Sequence, residues 1–132
     1  MALFYKKMQR VIPGNPTAPK KWYVILKCAG RMTEKQVAQD IADETTLNPK
    51  EAEMAIYQLQ KVLTRALLNG KTVQLGELGT FQLTVKSRGV ELPSEVNFNL
   101  IEQVNLQFTP AKKFRLSLQK AKFKSIEALR NQ

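Results

Sequence analysis

The chain has 132 residues, enough for one folded domain with its own core, and it carries 21 Lys or Arg against 11 Asp or Glu. It has no histidine and a single cysteine, Cys28, which excludes an intramolecular disulfide and a cysteine-histidine zinc site. We therefore expect Cys28 to be a small buried residue, and we expect no enzyme activity, no metal and no cofactor.

The longest nearly uncharged apolar stretch is WYVIL, which is far too short to span a bilayer. Together with the single cysteine, this predicts a soluble cytoplasmic protein without a membrane partner. Nothing in the sequence indicates a small-molecule substrate, because it contains no phosphate-binding glycine loop followed by a helix.

The net charge of +10 is concentrated at the two ends of the chain. Residues 1–31 contain seven Lys or Arg and no acid, and residues 111–132 contain seven against one acid. The middle of the chain is slightly acidic, with a net charge of −2 over residues 32–70 and −1 over residues 71–110. This polarity is typical of a protein that binds a polyanion, although surface lysines can also serve solubility alone.

The first 31 residues predict a basic β-hairpin. Residues 1–12 have the composition of a strand, PGNPTAP forms a turn, and KKWYVILK supplies β-branched and aromatic residues for a second strand. We expect this N-terminal extension to pack on the domain that follows.

Two helices follow the hairpin. Thr33 and Gln36 have the spacing of a capping box, which predicts a helix over residues 34–45. A second helix of about 20 residues begins with Asn48 as N-cap and Pro49 at its first position, and it ends at Asn69-Gly70. Its apolar stripe is long for so small a protein, which suggests that a partner subunit covers part of it. The stripe consists of Ala52, Ala55, Ile56, Leu59, Val62, Leu63, Ala66 and Leu67.

Three alternating strands come next: KTVQL, TFQLTV and VNLQFT. Gly76 and Gly79 permit a tight turn between the first two strands, and an excursion of some 18 residues, KSRGVELPSEVNFNLIEQ, precedes the third. After Pro110, the segment AKKFRLSLQKAKF predicts a basic helix that packs inward through Phe114, Leu118 and Ala121. The predicted fold class is α+β, with a three-stranded sheet.

LGELGTF at residues 75–81, with Phe108 and Lys112 near the last helix, resembles the turn and helix start of the bacterial histone-like HU and IHF family. The resemblance covers residues 32–122 and implies an HU-like DNA-binding domain there. The segment before it looks like the extension of a divergent HU-related branch, and residues 123–132 are expected to form a C-terminal tail.

The resemblance implies an intertwined homodimer whose two arms grip duplex DNA in the minor groove without reading sequence. It therefore implies a nucleoid-associated protein that condenses DNA. The DNA-binding positions that match this plan are Lys86, Arg88, Pro93, Lys112, Lys113 and Arg115.

The predicted arm departs from the family pattern. Residues 86–103 contain two bases against three acids, and the family's Arg-Asn-Pro tip is missing. Pro93 lies in the right interval, either as a wedge between base pairs or as an ordinary turn proline. These departures leave open an alternative function, in which an HU-like scaffold has lost strong DNA bending and serves in protein assembly.

Overall fold

The structure is a computed structural model that describes residues 1–11 and 13–127. The chain divides into two compact units. Unit 1 consists of Met1–Met32 together with the C-terminal residues from Gln119, and unit 2 is Thr33–Leu118. Each unit contains one three-stranded sheet.

The sheet of unit 1 contains the predicted hairpin. Strand β1 (Leu3–Arg10) pairs antiparallel with β2 (Lys21–Leu26), from Tyr5 opposite Leu26 to Arg10 opposite Lys21. Residue 12, which we expected in the first strand, lies outside the described residues. Strand β2 occupies one edge of β1, and the other edge of β1 pairs with a third strand.

That third strand, called β6 here because it is the last in the chain, was not predicted. Phe123–Ser125 pairs parallel with β1, and the Leu3 backbone N–H donates to the Lys122 carbonyl at 2.7 Å. The expected C-terminal tail therefore begins with a strand, because the free edge of β1 offers it backbone hydrogen bonds. Residues 128–132 of that tail lie outside the described part of the chain.

The expectation that Cys28 is buried was wrong. The residue is exposed in the segment between β2 and the first helix, and its thiol donates to the Gly30 carbonyl at 3.2 Å. The whole segment of residues 27–32 is exposed, so the cysteine side chain has no buried apolar surroundings in which to pack.

Unit 2 begins with the two predicted helices, α1 (Glu34–Glu44) and α2 (Pro49–Leu68). The capping box is present, since the Thr33 backbone N–H donates to the Gln36 side chain at 2.8 Å and the Gln36 N–H donates to the Thr33 hydroxyl at 3.4 Å. At its end, α2 closes through Gly70, which has a φ of 80°, and the Lys71 N–H donates to the Ala66 carbonyl.

The sheet of unit 2 has the order β3 (Val73–Leu75), β4 (Gly79–Ser87), β5 (Ile101–Pro110). The turn between β3 and β4 requires glycine at Gly79, where φ is 152° and an added Cβ would lie 2.7 Å from the Phe108 ring and even closer to the Thr109 carbonyl oxygen. Phe81 then packs against Phe108 with ring centroids 4.8 Å apart. This close approach fixes β4 against β5.

The last helix is shorter than predicted. Helix α3 covers Lys112–Leu118, and a turn and β6 follow where we expected the helix to continue to residue 123. Phe114 is half-buried as expected, but Leu118 is exposed and Ala121 lies beyond the helix. Within the described residues, no helix is long and apolar enough to cross a membrane.

We predict that Gly79→Ala lowers the free energy of unfolding by about 3 kcal/mol, because the new Cβ forces β4 and β5 apart. Gly76→Ala is the matched control: it also has a positive φ, 50°, but nothing lies within 4 Å of the added Cβ, so only about 1–2 kcal/mol is lost. Thermal and urea unfolding at equal protein concentration measure both. Equal losses would contradict the close-approach argument.

Candidate nucleic-acid interface

The two strands β4 and β5 form a ribbon with one apolar and one polar face. Phe81 lies opposite Phe108, Leu83 opposite Leu106, and Val85 opposite Val104, so these six side chains share one face. The residues between them share the other face. Those on the polar face are Thr80, Gln82, Thr84, Lys86, Gln103, Asn105, Gln107 and Thr109.

The polar face was missed in the sequence analysis, apart from Lys86. Threonine, glutamine and asparagine side chains contact phosphate oxygens in protein–DNA complexes, where they fix register without reading sequence. The alternation in TFQLTVK and QVNLQFT is the signal that could have identified them.

Lys86 and Arg88 lie together where the ribbon ends, beside an acid. The pairing skips Glu102, because Lys86 lies opposite Gln103 whereas Ser87 lies opposite Ile101. This bulge places the Glu102 carboxylate 3.9 Å from the Lys86 ammonium and 3.8 Å from the Arg88 guanidinium. Both predicted cations therefore share one acidic neighbour.

Arg88 also forms two hydrogen bonds with the far end of the loop that follows it. Its backbone N–H donates to the Leu100 carbonyl at 2.9 Å, and its guanidinium donates to the Asn99 carbonyl at 3.2 Å. The excursion is thereby closed into a loop of residues 88–100, shorter than predicted because β4 and β5 extend further.

Pro93 occupies the first position of a short 3-10 turn, Pro93–Glu95, in this loop. The same loop contains Phe98, whose exposure of 80% is the highest of any large apolar side chain described after Met1. Minor-groove proteins insert Phe as well as Pro between base steps. Phe98 therefore joins Pro93 as a candidate wedge that the sequence analysis omitted.

The cations of α3 lie at the opposite end of the ribbon. Lys112, Lys113 and Arg115 are exposed on this helix, which begins just after Pro110, the residue paired with Gly79. The seven residue steps from Gly79 to Lys86 span about 24 Å along the strand. The Lys113 ammonium is 3.2 Å from the carboxylate of Glu77 in the β3–β4 turn. The predicted site is thus two separated groups of cations connected by a polar strand face.

Unit 2 as a whole is electrically balanced. It contains ten Lys or Arg and ten Asp or Glu, so its net charge is zero. Within the described ranges, no group of three or more Cys, Asp or Glu side chains is placed to hold a metal ion. The ribbon can therefore provide shape and hydrogen bonds, but little long-range attraction for an anion.

Comparisons with known proteins identify the family of the chain. A family model described as HU-HIG, "HU domain fused to wHTH, Ig, or Glycine-rich motif", matches residues 1–125. No curated protein matches the sequence at a significant level.

Two solved structures share the fold. The crystal structure of a candidate bacterial DNA-binding protein from Bacteroides vulgatus aligns with a TM-score of 0.63 and 14% identity over 95% of this chain. This chain spans about half of that protein, 48% of its length. An Anabaena HU–DNA cocrystal structure aligns with a TM-score of 0.53 and 18% identity, over 66% of this chain and 97% of the Anabaena chain.

We predict that Glu102→Gln raises the affinity for random-sequence duplex DNA about fivefold, because it releases Lys86 and Arg88 from an exposed ion pair worth up to about 1 kcal/mol. Glu91→Gln is the matched control: it makes the same charge change in the adjacent loop, and Glu91 forms no described ion pair. Fluorescence anisotropy measures both. An equal gain from the two substitutions would show that net charge alone, not the release of these cations, matters.

Proposed function

Because the chain belongs to the HU-HIG family, in which an HU domain is fused to a wHTH, Ig or glycine-rich motif, we propose that it is a histone-like protein that binds duplex DNA as a dimer. It holds the DNA mainly through phosphate contacts and has little preference for sequence. The observation that carries this proposal is the ribbon of β4 and β5, which presents one continuous polar face in a fold shared with an HU–DNA complex.

The surface of the single chain supports the dimer. Its accessible area is 11553 Å², whereas a folded monomer of 15.0 kDa exposes roughly 7,000 Å². Among the described residues, only three apolar side chains are buried: Ala38, Ala52 and Leu67. Obligate dimers bury about 2,000–5,000 Å² in total, an area that the excess surface of this chain can supply.

The apolar face of the ribbon is one part of unit 2 that remains exposed in the single chain. On β4 the exposed fraction rises from 36% at Leu83 to 53% at Val85, and on β5 it rises from 39% at Phe108 to 58% at Val104. The aromatic end is thus half covered and the aliphatic end is open. A second copy that covers this face would leave the polar face free for DNA.

We further propose that the protein is associated with the nucleoid and has no catalytic role. Histidine, the side chain that most often serves as a general acid or base in enzymes, is absent from the sequence.

A salt series tests the proposed function directly. The affinity for several unrelated duplexes should fall in parallel as salt rises, by about 0.9 log units per log unit of salt for each phosphate contact. Six contacts in the dimer would weaken binding about a thousandfold between 50 and 200 mM salt. No detectable binding at the lowest salt would contradict the proposal and favour the protein-assembly alternative.

Substitutions at two neighbouring residues of β5 test dimer formation and DNA binding separately. We expect Leu106→Asp to convert the dimer into a monomer, because it places a charge on the apolar face. Asn105→Asp is the matched control with the same charge change one residue away on the polar face: it should keep the dimer but weaken DNA binding several-fold. Sedimentation equilibrium and anisotropy measure the two effects. A dimeric Leu106→Asp variant would place the dimer interface elsewhere.

A further inference from the structure

The positive charge of the protein resides in unit 1, not in the unit with the HU-like ribbon. Unit 1 contains eleven Lys or Arg and one Glu, which equals the whole net charge of +10. Every cation of unit 1 within the described residues is exposed. None of them forms a described salt bridge, whereas Lys86, Arg88 and Lys113 of unit 2 each have an acidic neighbour.

Strand register gathers most of the unit 1 sheet cations on one face. Lys6 and Arg10 are four residues apart on β1, so they point to the same side. Lys21 lies directly opposite Arg10, and Lys124 lies directly opposite Phe4, which shares the side of Lys6. We call these four residues, Lys6, Arg10, Lys21 and Lys124, the basic face.

The other side of the same sheet has a different character. Of the sheet cations it carries only Lys7, which lies opposite Val24. Its remaining β2 side chains are Trp22 and Leu26. The sheet cations are thus divided four to one between the two sides, a segregation that a general need for solubility does not require.

The pairing of Arg10 with Lys21 points to a ligand. Like charges directly opposite each other on adjacent strands destabilise a sheet, because their Cβ atoms are only about 5 Å apart. No acid on either strand offsets this pair, since β1 and β2 contain no Asp or Glu. An anion that lies across the two side chains would remove the repulsion.

The dimensions favour a repeating anion over a small one. Lys6 and Arg10 are about 13 Å apart along β1, and the three strands together are about 10 Å wide. Phe4, Met8 and Ile25 between the cations are half-buried, whereas the cations themselves are exposed. Long basic side chains can cover apolar neighbours and keep their charges in water, so the charges form an open array and not a pocket.

We propose that the basic face of unit 1 is a contact surface for the phosphate backbone of duplex DNA, in addition to the ribbon of unit 2. This inference rests on the proposed function and deepens it. The neutral unit 2 supplies shape and hydrogen bonds, and the basic face supplies most of the electrostatic attraction and therefore most of the salt dependence.

A pair of triple variants tests the inference in the full chain. Lys6→Gln/Arg10→Gln/Lys21→Gln removes three charges from the basic face. Lys7→Gln/Arg31→Gln/Lys120→Gln removes three exposed charges from the same unit but not from that face, because Lys7 lies on the other side of the sheet and Arg31 and Lys120 lie outside its strands. We expect the first variant to lose at least tenfold in affinity for random duplex at low salt and to flatten the salt slope by about 2.7 for each subunit whose basic face contacts the duplex, which corresponds to three phosphate contacts per subunit. The second should change both quantities far less.

Two controls show whether a loss of DNA affinity comes from the lost contact and not from impaired folding or from the positions of the substituted residues. The unfolding midpoint of the basic-face variant should equal or exceed that of the wild type, because the like-charge pair is removed. The charge-preserving variant Lys6→Arg/Arg10→Lys/Lys21→Arg should retain affinity and slope.

Three results would overturn the inference. The first is an unchanged slope in the basic-face variant while the wild type binds DNA. The second is an equal loss in both triple variants. The third is a basic-face variant that keeps its DNA affinity but no longer binds vesicles of phosphatidylcholine and phosphatidylserine, which would assign the face to anionic lipid. A wild type that binds no duplex at low salt would overturn the proposed function itself, and the inference with it.

Discussion

The approach of Gly79 to β5 determines how unit 2 presents its surfaces. Because Gly79 has no side chain, the strand passes close to the Thr109 carbonyl and the Phe108 ring, and the register of every later pair follows. A slip of one residue would exchange the two faces of the ribbon. The same turn also positions α3, since the Ala111 N–H donates to the Leu78 carbonyl at 3.1 Å. One steric constraint thus sets the polar face, the apolar face and the start of the last helix.

The division of charge from shape is the second property that organises the molecule. Unit 2 has the ribbon and the long helix of an HU domain, yet its charges cancel. Unit 1 is a small sheet with ten more positive than negative charges. In the function that we propose, one unit provides the fit to the duplex and the other provides the attraction, so the acidic residues of the loop do not prevent binding.

Much of the fold could be predicted from local signals in the sequence. The capping box at Thr33 and the Asn48 N-cap predicted the starts of the two helices, and the glycines at 76 and 79 predicted the turn between β3 and β4. Each of these signals depends only on the backbone conformation of nearby residues. The strand β6 could not be found this way: it has three residues, and its partner β1 lies almost a whole chain length away in sequence. The contact of Glu102 with Lys86 and Arg88 could not be predicted from the sequence either. It depends on a β-bulge, and no residue type in the segment indicates where that bulge lies.

Lysine footprinting tests in one measurement whether duplex DNA contacts both the basic face of unit 1 and the cations of unit 2. The reactivity of each lysine toward an acylating reagent would be compared by mass spectrometry with and without a saturating random-sequence duplex. We expect protection of Lys6, Lys21 and Lys124 in unit 1 and of Lys86 and Lys112 in unit 2, with Lys7 and the helix lysines Lys50 and Lys61 unchanged. Protection of Lys50 and Lys61 with no change at the first five positions would contradict this expectation, because the duplex would then lie on α2 and not on the two proposed surfaces.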